Sequence, residues 1–384
     1  VDWEKPQLPN NSVFLFNLGE SRPIDFSYVF KKADDATVQK LEVVTAARGD
    51  FFSALTSGDS ESAITTAEIY MPHLFGLIEE AKNLPDDCPI PRLKISWTSS
   101  LGSKYSKKFF TSNHWHFEAV NAILQYGLLH REKAHIMLKS LVSNDDFINQ
   151  TVPIAKTLCF AAGIFDYIKN VELARWTQKP VELLPEKYTE LYTILSTLCI
   201  AEAHQIAVKK GYLSGMGLSA VAKLCMDVHG KFRYISNVLQ SPGFCDTFVM
   251  PQFVSYCAFN DHLYEMFAFT LLGVHSSQKA EYGKSVAYLQ LAIQRGSNFD
   301  KIPGDKTSDT SRMRNHYEEQ LKLASLFHAK YEKDNMRIYY ESVPQAAQLE
   351  MPAAHQILQP LEWSPPTAIP INIALQESSS CALM

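Results

Sequence analysis

The sequence lacks the paired cysteines that staple small secreted domains and zinc-binding modules. Its 384 residues include seven cysteines, and no two of them form a C-x-x-C pair. An odd number without close pairs predicts neither a disulfide framework nor a zinc knuckle. We therefore expect free cysteines in a reducing, cytoplasmic compartment.

The sequence also lacks an excess of positive charge and long apolar runs. Its formal net charge is −5, whereas nucleic-acid binding needs a broad basic field, so we expect no nucleic-acid partner. We see no basic start followed by an apolar stretch, and no uncharged apolar window of about 18 residues. We expect neither a signal peptide nor a membrane-spanning helix, so that any membrane attachment must come from a modification or a surface.

Catalytic and metal-binding motifs are missing as well. There is no H-E-x-x-H, P-loop or G-x-S-x-G pattern. The run Gly215–Ala220 fits G-x-G-x-x-A, but helical residues precede it instead of a strand, which favours a turn between two helices over a dinucleotide site. His114-Trp115-His116 has no further metal ligands nearby in the sequence. The aspartate pairs 34–35, 86–87 and 145–146 stand where helix caps are expected. We expect no enzyme activity, cofactor or metal.

What the sequence does contain is helical periodicity from residue 36 to about 335. Apolar residues recur every three or four positions in stripes at 188–199, 218–239, 284–295 and 312–335. This pattern predicts an all-α fold of paired helices around a tetratricopeptide-like core, with degenerate repeats. We expect strands only in a short irregular or β segment at the N-terminus, within the first 30 residues or so. After about 339, closely spaced prolines predict an extended segment that lies against the helices.

One basic-aromatic cluster interrupts the helical pattern. It contains Lys104, Tyr105, Lys107, Lys108, Phe109 and Phe110. Two interpretations remain open, a solvated loop and a weak contact with anionic lipid.

The last four residues, Cys381-Ala382-Leu383-Met384, fit a prenylation box. Prenyltransferases require a cysteine fourth from the end, aliphatic residues after it and a final residue that selects the lipid, and methionine favours farnesyl. Residues 376–380 form a polar spacer. The alternative is a tail that matches by accident. We expect Cys381 to be the lipidation site and protein farnesyltransferase to be a partner.

Four segments, in order, resemble motifs of the Bro-type domain family, which includes ALIX and the rhophilins. Ile95–Thr98 is similar to the family's Phe-x-Trp-Thr/Lys motif, although Ser99 follows where the family commonly has aspartate. Phe160–Phe165 resembles its A-G-I/A-F helix, Ala201–Gln205 its A-E/Q-A-Q-E run, and Tyr331–Asn335 the exit from its last long helix. The resemblance covers about 95–360 and predicts a Bro-type domain over 1–371 and a flexible tail over 372–384.

The resemblance implies an elongated, banana-shaped helical domain that acts as an adaptor. Its concave surface would bind the C-terminal amphipathic helix of an ESCRT-III subunit at endosomal or other membranes. The partner-binding positions carried over are Ala207, Ala220, Leu224 and Ile357. Leu224 stands at the shoulder of its apolar stripe, so partial exposure and a core position both remain open. The two alanines imply a weaker groove or one shaped for bulkier partner side chains.

Three hypotheses follow for function. The first is a non-enzymatic, farnesylated ESCRT-III adaptor, and the second is a farnesylated helical scaffold that binds a different peptide or protein. The third is an all-helical isoprenoid or lipid-modifying enzyme, for which no acid–base or metal constellation is visible.

Overall fold

A computed structural model describes residues 6, 8–9, 12–30, 33–83, 93–101, 107–180, 184–240, 250–297 and 308–374, without the side chains of 83 and 308–311. The α-helices are α1 (Phe26–Val29), α2 (Asp35–Ser57), α3 (Ser60–Asn83), α4 (Trp115–Lys139), α5 (Asn144–Tyr167), α6 (Leu173–Arg175), α7 (Thr189–Leu213), α8 (Leu218–Leu239), α9 (Pro251–Gln278), α10 (Tyr282–Gly296) and α11 (Ser308–Asp334). The strands are β1 (Ile95–Thr98) and β2 (Phe109–Ser112). Single π-helical turns follow α5 and α11 at Ile168–Glu172 and Asn335–Tyr339, and short 3₁₀ turns occupy Pro185–Lys187 and Ala346–Gln348. The predicted all-α class is confirmed.

The four apolar stripes found in the sequence correspond to α7, α8, α10 and α11. On α8 the buried side chains recur at helical spacing, through Val221, Cys225, Val228, Phe232 and Ile235. The glycine turn before α8 is confirmed, because Gly215 has a φ of 78°, a left-handed conformation that glycine adopts without a Cβ penalty.

The location of the strands was predicted wrongly. An antiparallel ribbon pairs Ile95 with Ser112 and Thr98 with Phe109, inside the stretch expected to be helical. In the described part of the N-terminal 30 residues, strand pairing is limited to a single bridge from Ser21 to Trp97. The ribbon strands are only four residues long, so the window that identifies a helix is too wide to resolve them.

The chain forms two compact units. Unit 1 comprises Val1–Phe14, Ala134–Ala162 and Ile194–Leu361, and unit 2 comprises Leu15–Lys133, Gly163–Thr193 and Glu362–Met384. In unit 1, α9 packs against α8, α10 and α11. Since α9 touches other helices on several sides, most of its residues from Phe253 to Ser276 are buried, as expected of a helix that is apolar all round.

In unit 2, a buried carboxylate organises the core next to the ribbon. Glu118 on α4 is 0% exposed and accepts hydrogen bonds from Arg48 Nε (2.8 Å), Tyr70 Oη (2.9 Å) and Trp97 Nε1 (2.7 Å). A buried charge is tolerated only when it is paired and hydrogen bonded. The tryptophan of the Ile95–Thr98 motif therefore has a structural role as the donor that completes this network.

The end of the described chain also lies in unit 2, along α2 and α3. Ile369 N donates to the carbonyl oxygen of Pro72 (3.0 Å), and Gly76 lies directly beneath the Ile369 backbone. Asn372 N donates to Glu80 (3.0 Å) and Ala374 N to Thr37 Oγ1 (3.2 Å). The extended C-terminal segment is confirmed. The domain boundary at 371 stays a prediction, and backbone contacts continue to Ala374.

Two stretches of the described chain are long and apolar enough to span a membrane, although the sequence predicted none. They are Asn144–Arg175 and Thr189–Leu213, and 61% and 83% of their most apolar windows are buried inside the protein. Both contain a few charged residues, which the stricter sequence criterion excluded. Burial of this extent is typical of helices in a protein core.

Candidate partner-binding groove

An extended piece of chain in unit 1, residues 353–361, passes over α5, α7 and α8, and we call it the crossing segment. His355 N donates to the carbonyl oxygen of Lys223 on α8 (3.2 Å), and Leu361 N donates to that of Cys159 on α5 (2.9 Å). Between these ends, the amides of Ile357 and Leu358 both point at His204 on α7. Backbone hydrogen bonds therefore fix the segment to three helices while its side chains stay largely exposed.

His204 is the central contact of the crossing segment and is 0% exposed. Its Nδ1 lies 2.9 Å from the carbonyl oxygen of Ile200, and its Nε2 lies 3.1 Å from Ile357 N and 3.3 Å from Leu358 N. The carbonyl on one side places a proton on Nδ1, and the amide donors on the other side favour an unprotonated Nε2, which together correspond to the neutral Nδ1–H tautomer. Burial lowers the pKa of His204, which agrees with a neutral ring.

An ion pair lies beside the imidazole. Lys231 Nζ is 2.7 Å from Asp227 Oδ1 and 2.8 Å from Oδ2, and Asp227 Oδ2 is 3.3 Å from His204 Nε2. Lys231 therefore neutralises the carboxylate that would otherwise favour a protonated His204.

The four predicted partner-binding residues differ in exposure. Ile357 is 49% exposed, Ala220 is exposed and Ala207 is half-buried, so these three are accessible to a partner. Ala207 follows His204 by three residues on α7, which places it on the same side of the helix as the nitrogen that holds Ile357.

Leu224 is only 2% exposed, so of the two interpretations that the sequence left open the core position is the one found. The reason lies at the end of α7. Gly211 of α7 lies next to the leucine, because a Cβ at this position would be 3.8 Å from Leu224 Cδ1 and 3.2 Å from Met216 Sδ. Ala220 lies one turn before Leu224 on α8, so the exposed alanine and the buried leucine are on the same face of the helix.

A cavity of about 370 Å³ opens on the other side of the crossing segment. Residues of α7, α8 and the segment line it, among them Ser196, Ile200, Tyr234, Gln356 and the ion pair of Asp227 and Lys231. Side chains alternate along an extended chain, so Ile357 faces away from this cavity. The segment thus divides the surface of α7 and α8 into a side with the predicted anchors and a side with the cavity.

The sequence did not reveal what the polar residues of the Ala201–Gln205 motif do. Glu202 accepts hydrogen bonds from Phe14 N (2.9 Å) and Tyr256 Oη (3.2 Å), and Gln205 Nε2 donates to Asn260 on α9 (2.7 Å). A signal was present, since three polar residues inside an otherwise apolar helix predict buried hydrogen-bond partners.

Other candidate features lie elsewhere or outside the described residues. His116 Nδ1 contacts the buried carboxylate of Glu172 at 2.5 Å, in unit 2. Among the described residues, no group of three or more His, Cys, Asp or Glu side chains is arranged to hold a metal. Of the basic-aromatic cluster, Lys108 lies 4.9 Å from the Phe110 ring centre, whereas Lys104 and the lipidation candidate Cys381 are outside the described residues.

The fold has counterparts among solved structures. The ALIX BRO1 CHMP4C complex has a TM-score of 0.70 and 16% identity, and the match covers 94% of this chain and 99% of that chain. ALIX in complex with the SIVmac239 PYKEVTEDL late domain has a TM-score of 0.72 and 15% identity over 94% of this chain and 50% of that chain. A structure describing endosomal targeting by the Bro1 domain has a TM-score of 0.67 and 17% identity over 94% of both chains.

Sequence comparison points the same way. A pH-response regulator protein, palA/RIM20 of Debaryomyces hansenii, is 23% identical over 287 residues, which are 73% of this chain and 34% of that protein. The chain therefore spans about a third of the length of that relative. Residues 22–379 match the BRO1-like domain family. Since this match covers most of the sequence, the chain belongs to the BRO1-like domain family.

Proposed function

We propose that this chain is a non-enzymatic adaptor that binds the C-terminal amphipathic helix of an ESCRT-III subunit. Family membership supports a protein-interaction scaffold, and the ALIX relative is known in complex with CHMP4C. The observation that carries the proposal is the half-exposed Ile357, fixed over α7 by its own backbone at the position that the family uses for its partner.

The surface that carries Ala207, Ala220 and Ile357, which we call the groove, suits one face of an amphipathic helix. Such a helix binds through a few apolar side chains spaced three or four residues apart. Ala207 and Ala220 leave room for bulky partner side chains, Ile357 supplies an apolar wall, and the buried Leu224 is on the same face of α8 as Ala220. In this arrangement the partner contributes more of the apolar area than the groove does.

Titration of the purified chain with labelled C-terminal peptides of ESCRT-III subunits tests the proposal. Ile357→Asp should weaken binding at least tenfold, because a buried carboxylate costs a few kcal/mol unless it is paired. Met351→Asp is the matched control, since Met351 lies just upstream of the crossing segment and is 50% exposed. Equal affinity of the two variants would contradict the groove.

A second candidate function uses the same geometry with a different peptide. If no ESCRT-III peptide binds, but another amphipathic helix binds and is lost on Ile357→Asp, the chain is a helical scaffold of different specificity.

We also propose that Cys381 is farnesylated, which requires that Met384 is the carboxyl end of the mature protein. The Cys-aliphatic-aliphatic-Met pattern supports this, and the partner enzyme would be protein farnesyltransferase. Such a chain resembles BROX, the family member that consists of one Bro-type domain with a prenylation box. It would be cytoplasmic and peripheral on endosomal or other membranes. Mass spectrometry of the C-terminal peptide from cells tests the modification.

A further inference from the structure

We propose that His204 is a positioning residue for the groove: its unprotonated Nε2 holds the crossing segment on α7, and a proton on that nitrogen releases the segment. The consequence for partner binding rests on the proposed function, whereas the release itself does not.

The geometry makes a single nitrogen responsible for the middle of the segment. Two successive backbone amides, those of Ile357 and Leu358, converge on His204 Nε2 at 3.1 and 3.3 Å. The flanking attachments at His355 and Leu361 are backbone bonds that do not titrate. Ile357 is therefore presented to a partner by the nitrogen that its own amide contacts.

Protonation reverses the role of that nitrogen. An imidazolium donates from both nitrogens and accepts at neither. Nδ1–H would keep its bond to Ile200, whereas Nε2–H would face the two amide donors and find its acceptor in Asp227 Oδ2, which is 3.3 Å away. A proton on Nε2 thus adds a hydrogen bond between α7 and α8 and removes the two hydrogen bonds to the crossing segment.

The environment of the His204 ring sets the pH at which the crossing segment is released. Burial is the largest influence and lowers the pKa of His204; Asp227 of α8 acts against it, and Lys231 of α8 and His355 of the crossing segment act with it. The ring is therefore neutral at pH 7, and the segment is held there. Release is expected only below the ordinary histidine range, at pH values under about 6.5.

Glutamine provides a conservative replacement. Its side-chain oxygen accepts hydrogen bonds near the place of Nε2 and does not titrate. The Bro-type pattern A-E/Q-A-Q-E has glutamine where this chain has His204, so His204→Gln should fold. His204→Ala removes the acceptor altogether.

Amide hydrogen exchange tests the release without any partner. Protection of a peptide covering 353–361, corrected for the intrinsic pH dependence of exchange, should fall at least tenfold in the wild type between about pH 7 and about pH 5. In His204→Gln it should stay constant, and in His204→Ala it should be low throughout. Peptides from α9 report global unfolding and should remain protected. The proposal is overturned if His204→Gln shows the same pH dependence as the wild type, or if the wild type shows none.

Partner binding is the second readout. Affinity for an ESCRT-III peptide that binds at pH 7 should fall in parallel with protection in the wild type and stay constant in His204→Gln. If no such peptide binds at any pH while the exchange result holds, the proposed function fails and the release by His204 stands.

Discussion

Glu186 shows how one buried side chain adapts a family motif. It is 0% exposed, and its Oε1 accepts from Ser99 Oγ (2.7 Å) and Ser100 N (3.0 Å). Burial raises the pKa of Glu186 to about 7. An aspartate at position 99, as the family commonly has, would put a second carboxylate beside the first, whereas Ser99 donates a hydrogen bond instead.

Replacing this carboxylate should stabilise the protein at alkaline pH. The folded state keeps the Glu186 proton up to about pH 7, whereas the unfolded chain loses it near 4.5, so folding stability declines as pH rises between these values. Glu186→Gln removes that decline and should raise the free energy of unfolding at pH 8 by roughly 2–3 kcal/mol. Urea denaturation of the wild type and of Glu186→Gln at pH 5 and pH 8 measures this free energy. A variant with the pH slope of the wild type would contradict the raised pKa.

Two neighbouring positions on α8 should separate folding from binding. Leu224 is buried, so Leu224→Ala should lower the free energy of unfolding by about 2–5 kcal/mol. Ala220 is exposed, and Ala220→Asp should leave stability within about 0.5 kcal/mol. Ala220→Asp should nevertheless weaken binding of an ESCRT-III peptide. Thermal denaturation and peptide titration on both variants are decisive, and a fully stable Leu224→Ala would contradict a packing role for Leu224 in the core.

At the scale of elements, α7 is the organising helix of unit 1. Its side chains form hydrogen bonds to three different places: Glu202 to Phe14, His204 to the crossing segment, and Gln205 to Asn260 of α9. Successive helical residues point about 100° apart, so these three polar side chains address different neighbours.

The periodic part of the fold could be predicted from the sequence, and the contacts of these polar residues could not. Helical stripes are local patterns of three and four residues. The partners of Glu202 and His204 lie 188 and 153 residues away, and no local pattern encodes such pairings. For the same reason the exposure of Leu224 was undecided, because its neighbour Gly211 on α7 is not part of the local pattern of α8.

A glycine in α3 should prove essential for seating the C-terminal segment. A Cβ on Gly76 would overlap the Ile369 carbonyl oxygen, whereas a Cβ on Gly49 in α2 would meet nothing within 4 Å. Gly49→Ala should raise the free energy of unfolding by up to about 1 kcal/mol through helix propensity alone. Gly76→Ala should instead lower the free energy of unfolding, and residues 362–374 should become sensitive to proteases. Limited proteolysis of the matched pair tests this, and equal resistance would show that the segment adjusts.

At the scale of the whole molecule, the length of the tail limits where a lipid on Cys381 reaches the bilayer. Ala374 is held by Thr37 at the start of α2. The seven residues from Ala374 to Cys381 span about 23 Å when fully extended. The lipid would thus enter the membrane near the start of α2, closer to the folded chain than a tail beginning at 372 allows.

A single lipid chain should be necessary for membrane binding but insufficient for tight binding. One such chain gives marginal, reversible attachment, and a second signal is needed for stable anchoring. Residues 361–380 contain no Lys or Arg, so that signal must come from the folded chain or its partner. In flotation assays from cells, Cys381→Ser should stay in the soluble fraction and Ile357→Asp should float only partly. Flotation of Ile357→Asp equal to that of the wild type would show that the lipid suffices.

The pairing of Phe14 with Glu202 also has a consequence during synthesis. A ribosome adds about 5–20 residues per second. The 188 residues between the two partners therefore take roughly 10–40 s to emerge, and Phe14 must wait that long for its acceptor. Phe14 thus reaches its native place only after α7 has emerged and formed.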